Sequence, residues 1–88
     1  MKVVRLAHFK RMWKKLPLPI QKRASKALGY LLYNRSHPSL RLKRMKRLPG
    51  YWEARVDDDH RIICRLEEDI IVLAAIGRHD VLEKFGEN

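Results

Sequence analysis

The sequence has little cysteine and no long apolar run. Its single cysteine, Cys64, cannot form an internal disulfide or a thiolate zinc cage. No apolar run approaches the roughly 18–20 residues that cross a bilayer, so no membrane partner is expected. No apolar stretch follows the basic N-terminus, so we expect no signal peptide. These absences favour a protein of the reducing cytoplasm.

Acidic residues are absent from the first half of the chain. Residues 1–47 contain fifteen Lys and Arg and no Asp or Glu, whereas residues 48–88 contain five Lys and Arg and all ten acids. A segment without carboxylates cannot neutralise its field by local ion pairs, so it meets phosphates, an acidic partner or counterions. The regional bias favours nucleic acid or the ribosome as the partner, and simple solubility is the alternative.

The length and composition are those of one folded domain, which we take as residues 1–88. Apolar residues make up 45% of the chain, a proportion too high for a disordered basic tail. The core is expected to be thin, because a chain of this size buries only about 60–65% of its unfolded surface.

Two amphipathic helices are predicted in the basic half, where apolar residues recur with helical spacing. The apolar faces consist of Leu6, Phe9, Trp13 and Leu16 in the first helix, and of Ile20, Ala24, Ala27, Leu28 and Leu31 in the second. Pro17 and Pro19 end the first helix and open the second. Two helices joined so closely form an antiparallel hairpin.

Strands are predicted over most of the remaining chain. Apolar patterns indicate strands at residues 1–5, 42–47, 51–57, 60–66 and 70–76. The segment 70–76 is apolar on both faces, which is typical of an interior strand covered on both sides.

The alternation between residues 51 and 66 predicts the register of a hairpin. A three-residue loop, 57–59, sets Arg61 opposite Arg55 and keeps Ala54 and Ile62 on one apolar face, whereas a two-residue loop mixes the faces. The polar face then carries Glu53, Arg55, Arg61 and Arg65. Like charges opposite one another are unfavourable, so these arginines either receive an external anion or pair with Glu53.

A dense group of cations lies before and within this hairpin. Its members are Lys43, Arg44, Lys46, Arg47, Arg55 and Arg61. A guanidinium offers a fixed fork of donors that fits phosphate oxygens, and a lysine supplies a mobile point charge. On adjacent strands such groups can hold a phosphodiester and stabilise its transition state. The alternative is a solvated edge strand whose lysines block edge pairing.

A candidate acid–base group follows the last strand, in the segment Gly77-Arg78-His79-Asp80. His79 at a strand end can reach a site on the sheet face and titrates near neutral pH, although a structural histidine is the alternative. The four histidines give no metal-ligand spacing, and no glycine-rich phosphate loop is present. We therefore expect no metal and no other cofactor.

Aromatic residues divide into core and surface candidates. Trp13 and Trp52 fit the apolar faces of the first helix and of the hairpin. Tyr51 and Phe85 are candidates for stacking on bases, because an aromatic ring beside a basic surface can do so.

The segment HPSLRLKRMKRLPGYWEARVDDDHRIICRLEEDIIVLAAIGRHD, preceded by a basic helical hairpin, resembles the RelE/ParE superfamily of bacterial toxin–antitoxin toxins. The resemblance is strongest to the ribosome-dependent mRNA interferases, in the segments GYWEARVDDDHRII (50–63) and IGRHD (76–80). It implies an α+β fold, with an N-terminal antiparallel helical hairpin packed on a small, twisted, mainly antiparallel β-sheet. It also implies mRNA in the ribosomal A site as substrate, and a cognate acidic antitoxin that wraps the protein in a hetero-oligomer.

The resemblance also implies roles for individual residues. Arg61 is expected to hold the scissile phosphate and His79 to act as the general acid. Some members place a carboxylate before the basic strand as general base, but this sequence has none there, so Lys43 or Lys46 is expected to substitute. The residues expected to bind RNA are Arg44, Arg47, Arg55 and Phe85.

The implied reaction is cleavage of mRNA by its own 2′-OH, without a metal ion. Two alternatives stay open. One is a non-catalytic DNA gyrase poison of the same superfamily, whose members usually lack the histidine that stands here as His79. The other is a basic RNA-binding or ribosome-binding module without chemistry.

Overall fold

A short strand and two helices precede a region dominated by strands in the structure, a computed structural model that describes residues 2–86. Its elements are β1 (Lys2–Arg5), α1 (Ala7–Lys14), α2 (Leu18–Tyr33), a 3₁₀ turn (Pro38–Leu40), β2 (Lys43–Arg44), β3 (Tyr51–Arg55), β4 (His60–Leu66), β5 (Ile70–Arg78) and α3 (His79–Leu82). No helix in this part of the chain is long and apolar enough to span a membrane.

The strands form one sheet in the order β1-β5-β4-β3-β2. β1 runs parallel to β5, and every other neighbouring pair is antiparallel. The helical hairpin packs on this sheet, so the expected α+β fold with a mainly antiparallel sheet is confirmed. β5 lies between two strands, as its apolar pattern indicated.

Side chains pack on both faces of the sheet. On the helix face the buried core consists of Phe9, Ala24, Ala27, Leu31, Leu40, Ala54, Ile62, Cys64, Ile71, Leu73 and Ile76. Trp13 and Trp52 pack against this core, as predicted. A smaller cluster, Ile63, Ala74, Ala75 and Leu82, lies apart from it, and we call the sheet face that carries it the open face.

A bulge in β5 interrupts its pairing with β4. Ile63 pairs with Ala75 and Cys64 pairs with Leu73, so Ala74 is an extra residue in the ladder. Such a bulge bends a strand and increases its local twist. Beyond it, Gly77 lies opposite Arg61, which sets where the chain enters α3.

The predicted strand over 42–47 is wrong in extent, because only Lys43–Arg44 pair with β3. The following residues are needed for the reversal into β3, in which the Tyr51 N–H donates to the Leu48 carbonyl. Gly50 has φ +87°, a conformation that glycine adopts at little cost. The β3–β4 register is as predicted, with Arg55 opposite Arg61 and residues 57–59 as the loop.

Candidate active site

A cleft of about 220 Å³ lies at the end of the sheet where β3, β4 and β5 meet α3. Its lining consists of Arg41, Lys43, Glu53, Arg55, Arg61 and His79. The structure therefore brings together Arg61 and His79, the pair on which the sequence-based mechanism depends. Four cations and one carboxylate around a small cavity make an environment suited to a phosphodiester.

Strand pairing brings these side chains together. Arg55 pairs with Arg61, and Arg61 pairs in turn with Gly77, so three adjacent strands contribute neighbouring positions. His79 follows two residues after Gly77, at the first position of α3. Its backbone N–H donates to the Asp59 carbonyl at 2.7 Å, which ties α3 to the β3–β4 loop.

The Arg61 guanidinium is held in place by the backbone. Its Nη1 donates to the carbonyls of Asp57 and His60, the latter at 2.9 Å. Its Nε lies 3.7 Å from Glu53 Oε1, and the side chain is 19% exposed. A cation fixed in this way loses little further conformational entropy when an anion binds.

Glu53 lies between two cations of the cleft. Its carboxylate is 3.8 Å from Lys43 Nζ and 3.7 Å from Arg61 Nε, and the side chain is 14% exposed. The strand pattern predicted Glu53 only as an ion-pair partner for the arginines, and its contact with Arg61 is present. Glu53 also lines the cleft, as expected from the strand alternation, which places it on the same sheet face as Arg55 and Arg61.

Asp57 fixes the loop that carries the Arg61 acceptors. Its Oδ1 accepts from the backbone N–H groups of Asp59 and His60 and contacts His60 Nδ1 at 2.9 Å, while Oδ2 accepts from Arg23 at 3.2 Å. Burial raises the pKa of this carboxyl, but the hydrogen bonds and the charge of His60 outweigh it and hold the pKa at about 2. The loop is therefore anchored at neutral pH.

His79 is about half exposed, so its imidazole is accessible from the cleft and from solvent. Its Nδ1 lies 3.9 Å from Glu83 Oε1, one turn further along the chain.

Four of the predicted site residues do not line the cleft: Arg44, Lys46, Arg47 and Phe85. Arg44 pairs with Trp52, and its guanidinium lies over the Trp52 ring at 5.2 Å from the centroid. Because Trp52 packs on the helix core, Arg44 is on the sheet face opposite Glu53 and Arg61. Lys46 is exposed in the turn after β2 and does not line the cleft.

Arg47 and Phe85 were expected to bind RNA, and in the structure both make contacts that hold the C-terminal segment in place. Arg47 donates to the carbonyls of Leu82, at 2.6 Å, and Phe85. The Phe85 ring stacks on His8 at 5.8 Å and meets Tyr51 edge-on at 6.2 Å. Sequence spacing could not reveal these contacts, because they join residues 34 or more positions apart.

Cys64 and the histidines show no sign of a metal centre. Within residues 2–86 no group of three His, Cys, Asp or Glu side chains is placed to hold a metal ion. Cys64 is buried in the core, and this burial raises the pKa of its thiol to about 12.

Comparison with known proteins identifies the fold. The chain is similar to RelE in a RelB–RelE complex from Methanococcus jannaschii, with 18% identity, TM-score 0.74, and coverage of 94% of this chain and 98% of that one. YafQ from E. coli has 18% identity and a TM-score of 0.75, and the match covers 97% of this chain and 98% of that one. YoeB from Staphylococcus aureus has 17% identity and a TM-score of 0.76, and the match covers 90% of this chain and 97% of that one.

The sequence itself identifies the family. The fold is that of the RelE/ParE superfamily of toxin–antitoxin toxins, which confirms the resemblance seen in the sequence. Residues 18–81 match the ParE-like toxin domain, so the chain belongs to the ParE-like toxin domain family. No curated protein sequence gives a significant match.

Proposed function

We propose that this toxin is an endoribonuclease that cleaves mRNA on the ribosome and so inhibits translation. The observation that supports the proposal is the shared cleft, in which Arg61 and His79 line one cavity with Glu53. These three side chains match the three tasks of RNA cleavage by an internal nucleophile: charge stabilisation, proton donation and proton acceptance.

In the proposed reaction the RNA 2′-oxygen attacks the adjacent phosphorus. The O2′–P bond forms and the P–O5′ bond breaks, which leaves a 2′,3′-cyclic phosphate and a free 5′-OH. Arg61 and Arg55 stabilise the charge that grows on the phosphoryl oxygens. Protonated His79 gives its proton to the leaving 5′-oxygen.

The structure favours Glu53 over lysine as the acceptor of the 2′-OH proton. An ammonium group has three donors and no acceptor, whereas a carboxylate accepts on both oxygens. We therefore assign Lys43, which lies 3.8 Å from Glu53, to holding the carboxylate and the RNA backbone. Lys46 has no part in this scheme, because it lies outside the cleft.

A cleft with so few catalytic groups suits a substrate that is positioned by another macromolecule, here the ribosome. Holding the 2′-OH in line with the phosphorus removes much of the entropic part of the barrier, and the ribosomal A site can supply that alignment. Messages under translation are in the cytoplasm, so the toxin is expected to act there.

The proposed protein partner is an acidic antitoxin that forms a hetero-oligomer with the toxin. Structural relatives are complexes of this kind, namely RelB with RelE, DinJ with YafQ, and YefM with YoeB. The fifteen cations of residues 1–47, with no acid among them, give such a partner a complementary surface.

Expression in bacteria with mapping of transcript ends tests the proposal. We expect growth arrest, with new 5′ ends inside codons of translated messages, and we expect Arg61→Ala or His79→Ala to abolish both. Arg65→Ala is the matched control, because Arg65 lies on the same strand and outside the cleft. If both cleft variants stay as toxic as the parent, the assignment is wrong.

The same experiment separates two other functions. The family match is to a ParE-like domain, so a gyrase poison is the second candidate; it predicts DNA damage signalling without RNA cuts. A basic binding module without chemistry predicts salt-sensitive RNA binding and no loss of viability.

A further inference from the structure

A second pocket, of about 260 Å³, lies beside the catalytic cleft. Arg23, Lys26, Tyr30 and His37 contribute to its lining together with Arg55. Arg55 also lines the cleft that contains Arg61 and His79, so the two cavities are neighbours that share one residue. We call this second cavity the α2 pocket.

The short β2 strand pairs with only part of the edge of β3. β2 pairs only with Trp52 and Glu53 of β3, so the rest of that edge, including Arg55, is not covered by a strand. Arg55 therefore lies beyond the paired part of this edge and lines both the cleft and the second cavity.

The α2 pocket contains a ready-made stacking surface. The rings of Tyr30 and His37 are 3.7 Å apart between centroids and 8° from parallel. The Ser39 N–H donates to His37 Nδ1 at 3.2 Å, and Ser39 Oγ lies 2.7 Å from the same atom, which fixes the imidazole plane. A flat, oriented pair of rings can accept a nucleobase as a further layer.

The cations of the α2 pocket are available to a phosphate. Arg23 contacts Asp57 and Arg55 contacts Asp58, and in each pair one side chain is more than half exposed. Exposed ion pairs of this kind contribute little net free energy, so a phosphate can compete for the guanidinium groups. Lys26 adds a third positive charge on the same wall.

We propose that the α2 pocket binds the nucleotide next to the scissile phosphate. Its base stacks on the Tyr30–His37 pair, and its phosphate lies between Arg55 and the cations of α2. The inference rests on the proposed function for its substrate class, single-stranded RNA. It gives the toxin a base contact of its own, separate from the chemistry at Arg61 and His79.

Binding of an oligoribonucleotide that cannot be cleaved tests the pocket. The probe carries 2′-deoxyribose at the position of the attacking hydroxyl, and a series of probes has one base removed at each flanking position. With the wild-type protein we expect one such abasic probe to bind about 10-fold more weakly than the intact probe. In His37→Ala that difference should disappear, whereas His37→Phe, which keeps a flat ring, should retain it.

Charge variants provide the matched comparison. Lys26→Ala should weaken binding of the intact probe several-fold, whereas Lys22→Ala, an exposed lysine of the same helix outside the pocket, should not. The proposal is overturned if every abasic probe binds like the intact one, if His37→Ala keeps the same abasic penalty as the wild type, or if the two lysine variants are equivalent.

Failure of this inference is distinguishable from failure of the proposed function. The binding measurement needs no cleavage, so it stands even if Arg61→Ala and His79→Ala leave toxicity unchanged. Where cleavage occurs on programmed ribosomes, His37→Ala should raise KM and change the preferred flanking base with kcat retained. Arg61→Ala should lower kcat.

Discussion

Among single residues, Glu53 offers the sharpest test of the proposed chemistry, its role as acceptor of the 2′-OH proton. Replacement by glutamine keeps the shape of the side chain and removes its charge. We expect Glu53→Gln to lower the rate of RNA cleavage by roughly 100-fold or more, since a positioned general base contributes about 10²–10⁴. The measurement is single-turnover cleavage of mRNA on programmed ribosomes.

The control for this change is Glu67→Gln. Glu67 pairs with Arg65 at 3.4 Å, is about half exposed and does not line the cleft, so its loss should leave cleavage unchanged. A Glu53→Gln protein that cleaves at the parent rate would show that Glu53 is only an ion-pair partner of Arg61 and Lys43.

Asp57 makes the stability of the fold depend on pH. Its pKa falls from the ordinary 3.8 to about 2 on folding, so its charged form stabilises the folded state above pH 3.8. That contribution, about 1 to 2 kcal/mol after allowance for solvent screening, is lost as the pH falls through 2. We expect Asp57→Asn to lower the free energy of unfolding by this amount at neutral pH.

Denaturant unfolding between pH 7 and pH 2.5 checks this expectation. The difference in free energy of unfolding between the parent and Asp57→Asn should narrow as the pH falls below 4. Asp58→Asn, at a position 92% exposed, should differ from the parent by almost nothing at any pH. If this difference in free energy of unfolding stays constant across the range, the stability lost in Asp57→Asn comes from changed hydrogen-bond geometry and not from the lost charge.

At the scale of elements, the C-terminal segment depends on one side chain of a distant turn. Arg47 reaches the carbonyls of Leu82, the last residue of α3, and of Phe85, three residues beyond it. We expect Arg47→Ala to lower the free energy of unfolding by about 1 to 2 kcal/mol. Amide exchange over residues 79–86 should become faster.

Lys46→Ala is the neighbouring control, since Lys46 is exposed and lies outside the cleft. Amide exchange and denaturant unfolding of this variant should match the parent. If Arg47→Ala weakens RNA binding but leaves exchange at residues 79–86 unchanged, Arg47 binds RNA as the sequence suggested.

At the scale of the whole molecule, most of the cleft's cations come from two places in the chain. Arg41 and Lys43 precede the hairpin, and Arg55 and Arg61 lie within it. Four phosphate contacts predict that the logarithm of the RNA binding constant falls with the logarithm of salt concentration with a slope of about −3. Replacing both Arg41 and Lys43 by alanine should make that slope shallower by about 1.4.

A pair of lysines elsewhere distinguishes this local contact from general positive charge. Lys10 and Lys14 line a separate groove between α1 and α2, so their replacement by alanine should leave the slope unchanged. Equal changes in the two double variants would mean that RNA binds the basic surface without preference for the cleft.

The sequence by itself determined the periodic elements and the register of the β3–β4 hairpin. Alternation has to keep one face apolar, and that requirement alone places Arg55 opposite Arg61. The motif around Arg61 and His79 identified the superfamily before any coordinates. These features were predictable because each depends on neighbours in the sequence or on a short, ordered pattern.

The tertiary structure alone decided which charged residues share the cleft. Arg44 and Lys43 are adjacent in sequence, yet pleating sends Arg44 to the Trp52 face and Lys43 to Glu53. The early end of β2 frees Arg47 to bind the C-terminal segment. Side-chain direction and strand length depend on contacts between distant parts of the chain, and for that reason composition and local patterns could not reveal them.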